Sequence, residues 1–171
     1  LEKKFKEIKI LDPACGSGAF LIKAVDILLE IHKEILRLKI RNNPEKYSDN
    51  GQTKMDKWNE ESEAKKIIEN NIYGVDINPE SVAVTKLALF LKIAERGKKL
   101  TGTTNNIKVG NSLISDKSID EMAFDWEERF PEKFDVVIAN PPYVQLSMDS
   151  EVKQNVKEYL KKRFESSMGR L

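Results

Sequence analysis

The stretch Ile8-Lys9-Ile10-Leu11-Asp12-Pro13-Ala14-Cys15-Gly16-Ser17-Gly18 decides the fold. Ile8 to Leu11 read as a short strand, and Asp12 to Gly18 as a turn. Leu21, Val25, Leu28, Ile31 and Ile35 then recur at spacings of three and four, which predicts a helix. Gly16 and Gly18 let the backbone turn tightly and approach a ligand closely. The turn feeds a helix N-terminus, whose free N–H groups attract an anion.

Working outward, the alternation continues. Residues 41–56 are rich in Asn, Pro, Asp and Gly and read as a loop or linker insertion. Lys57 to Asn70 predicts a charged surface helix. Asn71 to Val75 predicts a second strand ending at Asp76. Asn78 as N-cap and Pro79 as first helical residue open a helix carrying Val82, Val84, Leu87 and Leu91, with Gly97 placed to end it. Ile107 to Val109 and Val136 to Ala139 predict a third and a fourth strand. This pattern argues for an α/β fold: a mainly parallel sheet with helices on both faces.

Composition sets limits. The chain has 171 residues, enough for one domain with a core. Lys and Arg number 29 and Asp and Glu 28, so net charge alone points to neither nucleic acid nor membrane. A single cysteine forbids an internal disulfide and fits a reducing cytoplasm. No apolar run reaches the roughly 20 residues that span a bilayer. The chain starts with Leu1 and has no signal-peptide pattern, which predicts a fragment of a longer protein.

In open parallel sheets, ligands sit outside the carboxyl ends of the strands. The unusual residues (Asp12 to Gly18, Asp76, Asn111, Asn140 to Tyr143) all fall there. A dinucleotide fingerprint would need a third glycine where this chain has Leu21. S-adenosylmethionine fits better: it has no pyrophosphate, its carboxylate suits the helix N-terminus, and its ammonium suits Asp12, directly or through water. Asp76 is placed to accept from both ribose hydroxyls, and Ile77 to pack on an adenine face; alone, Asp76 reads equally as a solvated acid at a helix start. Asn111, with Ser112 beside it, reads either as an adenine acceptor through Oδ1 or as an ordinary turn.

Asn140-Pro141-Pro142-Tyr143 ends the fourth strand. Two prolines remove two N–H donors and push the residues before them towards extended geometry. The carbonyls of Asn140 and Pro141 are thereby freed to accept from another molecule, and Tyr143 offers a ring for a base to stack on.

Taken in order, Asp12-Pro-Ala-Cys-Gly-Ser-Gly18, Tyr73-Gly-Val-Asp-Ile-Asn-Pro79, Gly110-Asn-Ser-Leu113 and Asn140-Pro-Pro-Tyr143 resemble the motifs of N6-adenine DNA methyltransferases, particularly those of restriction–modification enzymes. The resemblance implies a Rossmann-like S-adenosylmethionine fold. It implies cofactor contacts from Asp12, Pro13, Ala14, Cys15, Gly16, Gly18, Asp76, Ile77, Asn111 and Ser112. It implies a flipped adenine of double-stranded DNA held by Asn140, Pro141, Pro142 and Tyr143, without a metal. The family usually has Asp where this chain has Asn111. The whole chain, 1–171, is expected to be one catalytic-domain fragment. Residues 151–171 are its carboxyl-terminal helix and the start of a truncated segment, and the fragment is expected to be inactive alone.

Other features read as structural. Cys15 has no base near it in the motif and reads as packing. His32 reads as a boundary residue of a helix, without metal-ligand spacing. Glu151-Val152-Lys153 has a nuclease-like form but falls on a predicted helix. Val152, Val156, Tyr159, Leu160 and Phe164 recur at helical spacing opposite Lys153, Lys157, Lys161 and Lys162, the pattern of a solvated amphipathic helix. Two further functions stay open: methyl transfer to protein glutamine N5 or RNA amino groups, and a non-catalytic nucleotide-binding module.

Overall fold

The computed structural model describes residues 2–49, 52–94, 104–141 and 154–164. In chain order the elements are α1 (Glu2–Glu7), β1 (Ile10–Asp12), α2 (Ala19–Asn42), α3 (Pro44–Tyr47), β2 (Ser48–Asp49), β3 (Gln52–Thr53), α4 (Glu60–Asn70), β4 (Ile72–Asp76), α5 (Pro79–Lys92), β5 (Ile107–Val109), α6 (Trp126–Arg129), β6 (Val136–Val137) and α7 (Gln154–Arg163). Four strands form one parallel sheet in the order β5-β4-β1-β6, which is third, second, first, fourth among the sequence-predicted strands, the order expected of the resembled fold when truncated. Ile10 lies between Ile72 and Val136 in register, so β1 is an inner strand.

Side chains alternate across each strand, and the two faces bury different material. Ile10, Ile72 and Ile107 pack into a core with Leu21, Val25 and Leu28 of α2, Ile67 and Ile68 of α4, and Val82 and Leu89 of α5. Leu11, Tyr73 and Val75 belong to a second cluster with Phe124 and Phe130. That face is aromatic and includes α6: the Tyr73 and Phe130 rings meet edge-on at 5.3 Å, and Phe124 and Trp126 at 4.8 Å.

Several elements depart from the sequence reading. The helix α5 is apolar nearly all round, so spacing alone does not fix its inner face. Val82, Thr85 and Leu89 are buried, while Val84, Leu87 and Leu91 lie exposed. It stops at Lys92, and Gly97 lies outside the described residues. Within 41–56, α2 continues to Asn42, Pro44 opens α3 as its first residue, and β2 and β3 pair antiparallel. Strand β6 covers only Val136 and Val137, because among the described strands it pairs with β1 alone.

His32 is buried, not at a boundary. Its Nδ1 lies 3.0 Å from Glu63 Oε1 on α4. Burial would raise the Glu63 carboxyl, but the Lys66 ammonium and the His32 ring outweigh it and hold the group below the usual carboxylate range.

Asn71 joins the amino-terminal segment to the sheet. It is 2% exposed, and its Nδ2 donates to the carbonyls of Ile8 (2.7 Å) and Lys6 (3.1 Å). Its own carbonyl accepts from Ile10 N (2.7 Å), which sets the β1 entry. Replacing the side chain leaves two carbonyls without that donor. Asn71→Ala is expected to cost about 1–3 kcal/mol in urea unfolding; an unchanged midpoint would show that these bonds do not anchor β1.

Candidate functional site

The carboxyl ends of β1, β4 and β5 are joined by backbone bonds. Cys15 N donates to Val75 O at 2.9 Å, and Gly110 N to Asp76 O at 2.9 Å. The Asp76 side chain ties in the turn: Oδ2 accepts from Gly16 N (2.7 Å) and Oδ1 from Asn78 N (2.9 Å). Gly16 and Gly18 both adopt positive φ, 51° and 84°. At Gly18 a Cβ would also lie 2.7 Å from Thr85 Cγ2, so both backbone and space demand glycine. Thr85 Oγ1 donates to Gly16 O at 2.7 Å and fixes the turn against α5. The Asn78 side chain caps α5, accepting from Glu80 N and Ser81 N, as its sequence position predicts.

Asp12 is 2% exposed, and its Oδ1 accepts from Ala14 N at 3.0 Å. No basic side chain pairs with it among the described residues. Burial pushes its carboxyl up, against the pull of the Ala14 N–H and with the added repulsion of Asp76. Burial, Asp76 and Asp12 together push the Cys15 thiol up to about 12. Cys15 is thus a protonated, buried side chain, unsuited to nucleophilic attack at neutral pH.

A cavity of about 1320 Å³ opens at these strand ends. Pro13, Ala14, Asp76, Ile77, Asn111, Ser112 and Pro141, all singled out in the sequence, line it together. Asp12, Cys15, Gly16 and Gly18 belong to the same turn as Pro13 and Ala14 without being part of that lining. Ile77 is 53% exposed, an apolar surface presented at the wall. Asn140 is exposed next to Pro141, and its amide makes no hydrogen bond to another described residue. Pro142, Tyr143 and Glu151-Val152-Lys153 lie outside the described residues.

Two parts of the wall escaped the sequence reading. One is the segment from Leu113 to Glu121, which is irregular and shows no periodicity. The other is α7: Val156, Leu160 and Arg163 line the cavity, and the Tyr159 hydroxyl sits 3.1 Å from Ser115 Oγ. Lys157, placed on the solvated face by its spacing, is buried. The apolar recurrence at 156, 160 and 164 was the available signal, but it could not say what the helix packs against.

Asn111 occupies a tight local network. Its Oδ1 accepts from Leu113 N (3.1 Å) and its Nδ2 donates to Asp120 Oδ2 (2.7 Å). The oxygen proposed as an adenine acceptor therefore already holds one bond. Among the described residues, no group of His, Cys, Asp and Glu is placed to bind a metal ion, and no helix is long and apolar enough to cross a membrane.

A carboxyl raised by burial makes the fold less stable as pH climbs through and above the ordinary carboxylate range, because the folded state then holds the proton more tightly than the unfolded chain. Asp12→Asn keeps the oxygen that accepts from Ala14 and removes the charge. Its melting temperature at pH 7 is expected to equal or exceed that of the wild type by a few degrees, and the gap should close near pH 3. A lower melting temperature at pH 7 would contradict an unpaired buried charge.

The sequence matches the family profile described as "Eco57I restriction-modification methylase" over residues 70–170. A putative type II restriction enzyme and methyltransferase of Methanocaldococcus jannaschii is 38% identical over 117 residues, 63% of this chain and 9% of the relative. The type II restriction enzyme and methyltransferase Eco57I of Escherichia coli is 28% identical over 93% of this chain and 17% of its own length. An adenine-specific methyltransferase, PglX, of Lacticaseibacillus casei is 29% identical over 57% of this chain and 6% of its own. The chain thus spans less than a fifth of the length of these relatives. With the profile covering more than half of its residues, the chain belongs to the Eco57I restriction-modification methylase family.

Proposed function

We propose that these residues form the methyl-transfer core of a cytoplasmic restriction–modification enzyme, which methylates the N6 amino group of an adenine flipped out of double-stranded DNA, with S-adenosylmethionine as donor. The observation that carries this reading is the placing of Asp12 and Asp76 at the ends of adjacent strands, with no cation paired to Asp12 among the described residues, next to the acceptor-rich end of β6. Because β1 lies between β4 and β6, the Asp76 and Asn140 segments flank the Asp12 turn at strand spacings of about 4.8 Å.

The residues present fit such a donor. An α-ammonium is the cation that Asp12 lacks, Asp76 carries oxygens for ribose hydroxyls, and the exposed Ile77 suits an adenine face. The cavity exceeds the roughly 300–1,000 Å³ common for a single small ligand, which leaves room for a nucleoside and a second base. S-adenosylmethionine, when bound, supplies an electrophilic methyl group on a sulfonium.

The chain's own residues supply the grip on the acceptor. The N6 amine of adenine is a weak nucleophile, because its lone pair is delocalised into the ring. The β6 ladder contributes Ile138 N donating to Leu11 O at 2.9 Å, after which the chain runs into the two prolines. Asn140 Oδ1 and the Pro141 carbonyl accept the two amino hydrogens, favour a pyramidal nitrogen and aim its lone pair. Positioning and electrostatics then dominate the displacement. The methylated nitrogen releases its extra proton readily, so no strong base is needed. Stacking on Tyr143 offsets part of the cost of unstacking the base, at about 1–3 kcal/mol.

In the full-length protein, Asn140→Ala is expected to abolish methyl transfer to duplex DNA while changing donor affinity less than about threefold. Donor affinity falling as far as turnover would remove Asn140 from the acceptor site. Parallel assays with structured RNA and with protein decide the substrate class, and methylation of either in place of DNA would overturn the DNA reading. Tyr143→Phe should remain active and Tyr143→Ala lose at least about tenfold; equal activity of the two variants would argue against stacking.

A further inference from the structure

The Asn111 network bears on how the donor's adenine is recognised. Two independent contacts fix the orientation of the Asn111 amide: a backbone N–H (Leu113) faces its oxygen, and a carboxylate (Asp120) faces its nitrogen. Swapping the two atoms would set donor against donor and acceptor against acceptor. The amide therefore turns its donor towards Asp120, and one lone pair of its oxygen is already taken.

Asp120 is held in place from several directions. Oδ2 accepts from Asn111 Nδ2 at 2.7 Å, and Oδ1 accepts from Met122 N at 2.8 Å. The Asp120 carbonyl accepts from Ala123 N at 3.0 Å, and Asn111 N donates to Met122 O at 2.6 Å. A short parallel bridge between Asn111 and Ala123 locks this segment beside the end of β5. A carboxylate has about four acceptor positions, of which these bonds use two. Asp120 also lines the strand-end cavity, on the same wall as Ile77 and Asn111.

We propose that Asp120, oriented by Asn111, accepts from the exocyclic amino group of the cofactor's adenine. Asn111 acts as the positioning residue, and the charge at this end of β5 comes from nine positions further along the chain. The inference rests on the reading of the cavity as a nucleoside-donor site and adds which residue distinguishes its base. An amino group offers hydrogens to a carboxylate, whereas a 6-oxo group sets an acceptor against it and leaves a buried acceptor pair unsatisfied.

The test compares two product analogues that differ only at that position, S-adenosylhomocysteine and S-inosylhomocysteine, by calorimetric titration of the full-length protein. Wild type is expected to bind the adenine ligand at least about tenfold more tightly than the hypoxanthine ligand. Asp120→Ala should weaken the adenine ligand by about tenfold and leave the hypoxanthine ligand unchanged or tighter, so the preference collapses. Asp120→Asn, which keeps the side-chain volume, should reduce the preference in the same direction. Retained binding of S-inosylhomocysteine reports an intact fold in either variant. If both variants weaken the two ligands by the same factor, or leave the preference intact, Asp120 has only a structural role and the inference is overturned. If wild type binds neither ligand, the donor reading of the cavity fails and takes this inference with it.

Discussion

Three strand ends meet at Asp76. Its side chain accepts from Gly16 in the turn after β1 and from Asn78 at the start of α5, while its carbonyl accepts from Gly110 after β5. A parallel sheet brings its carboxyl ends to one edge but does not fix the loops that leave them. Here one residue couples those loops, so the glycine turn, the α5 cap and the Asn111 segment keep fixed positions relative to each other. Each Asp76 oxygen spends one lone pair on this task and keeps another. In the proposed reading, a ribose hydroxyl would meet Asp76 acceptors already aligned by the backbone, at little further ordering cost.

The fold was legible where local chemistry and tertiary packing agree. The strand–turn–helix at Ile8 to Leu28 combines an apolar run, two glycines that tolerate positive φ, and a period near 3.6, and all three features appear in the structure. Asn78-Pro79 marked the start of α5 because capping is a local property. The inner face of α5 was illegible, since a helix apolar on most sides leaves the choice to its neighbours, and Thr85 is buried by its bond to the turn. The Asp120 partnership was hidden for a similar reason. Nothing in the sequence ties positions 111 and 120, and only the folded Ser112 to Met122 segment brings their side chains together. The docking of α7 includes a bond between Tyr159 and Ser115, 44 residues apart, which periodicity cannot report.

The two acidic strand ends are energetically unfavourable as structure. Asp12 is buried with one bond from the backbone among the described residues, and burial, with the added repulsion of Asp76, makes its carboxyl harder to ionise. A well-packed amide at position 12 would serve the turn as well. The cation of the proposed donor would offset the repulsion that Asp12 meets from Asp76. The same electrostatic surroundings raise the Cys15 thiol, which disfavours it as a nucleophile.

This arrangement also explains why the acceptor-rich motif belongs on β6. An inner strand needs its N–H groups for ladders on both sides, so two consecutive prolines there would strand the carbonyls of its neighbours. Strand β6 pairs on one side only among the described strands, and its ladder has already ended before Pro141. Pro141 thus takes no ladder bond from the sheet, as the proposed acceptor role of this segment would need. In the proposed reading, the interior strands, bonded on both sides, would position the donor, and the outer strand, with spare acceptors, would take the base. That division of labour would follow from hydrogen-bond satisfaction, and the proposed reading would then set the two reactants on neighbouring strands of the same sheet.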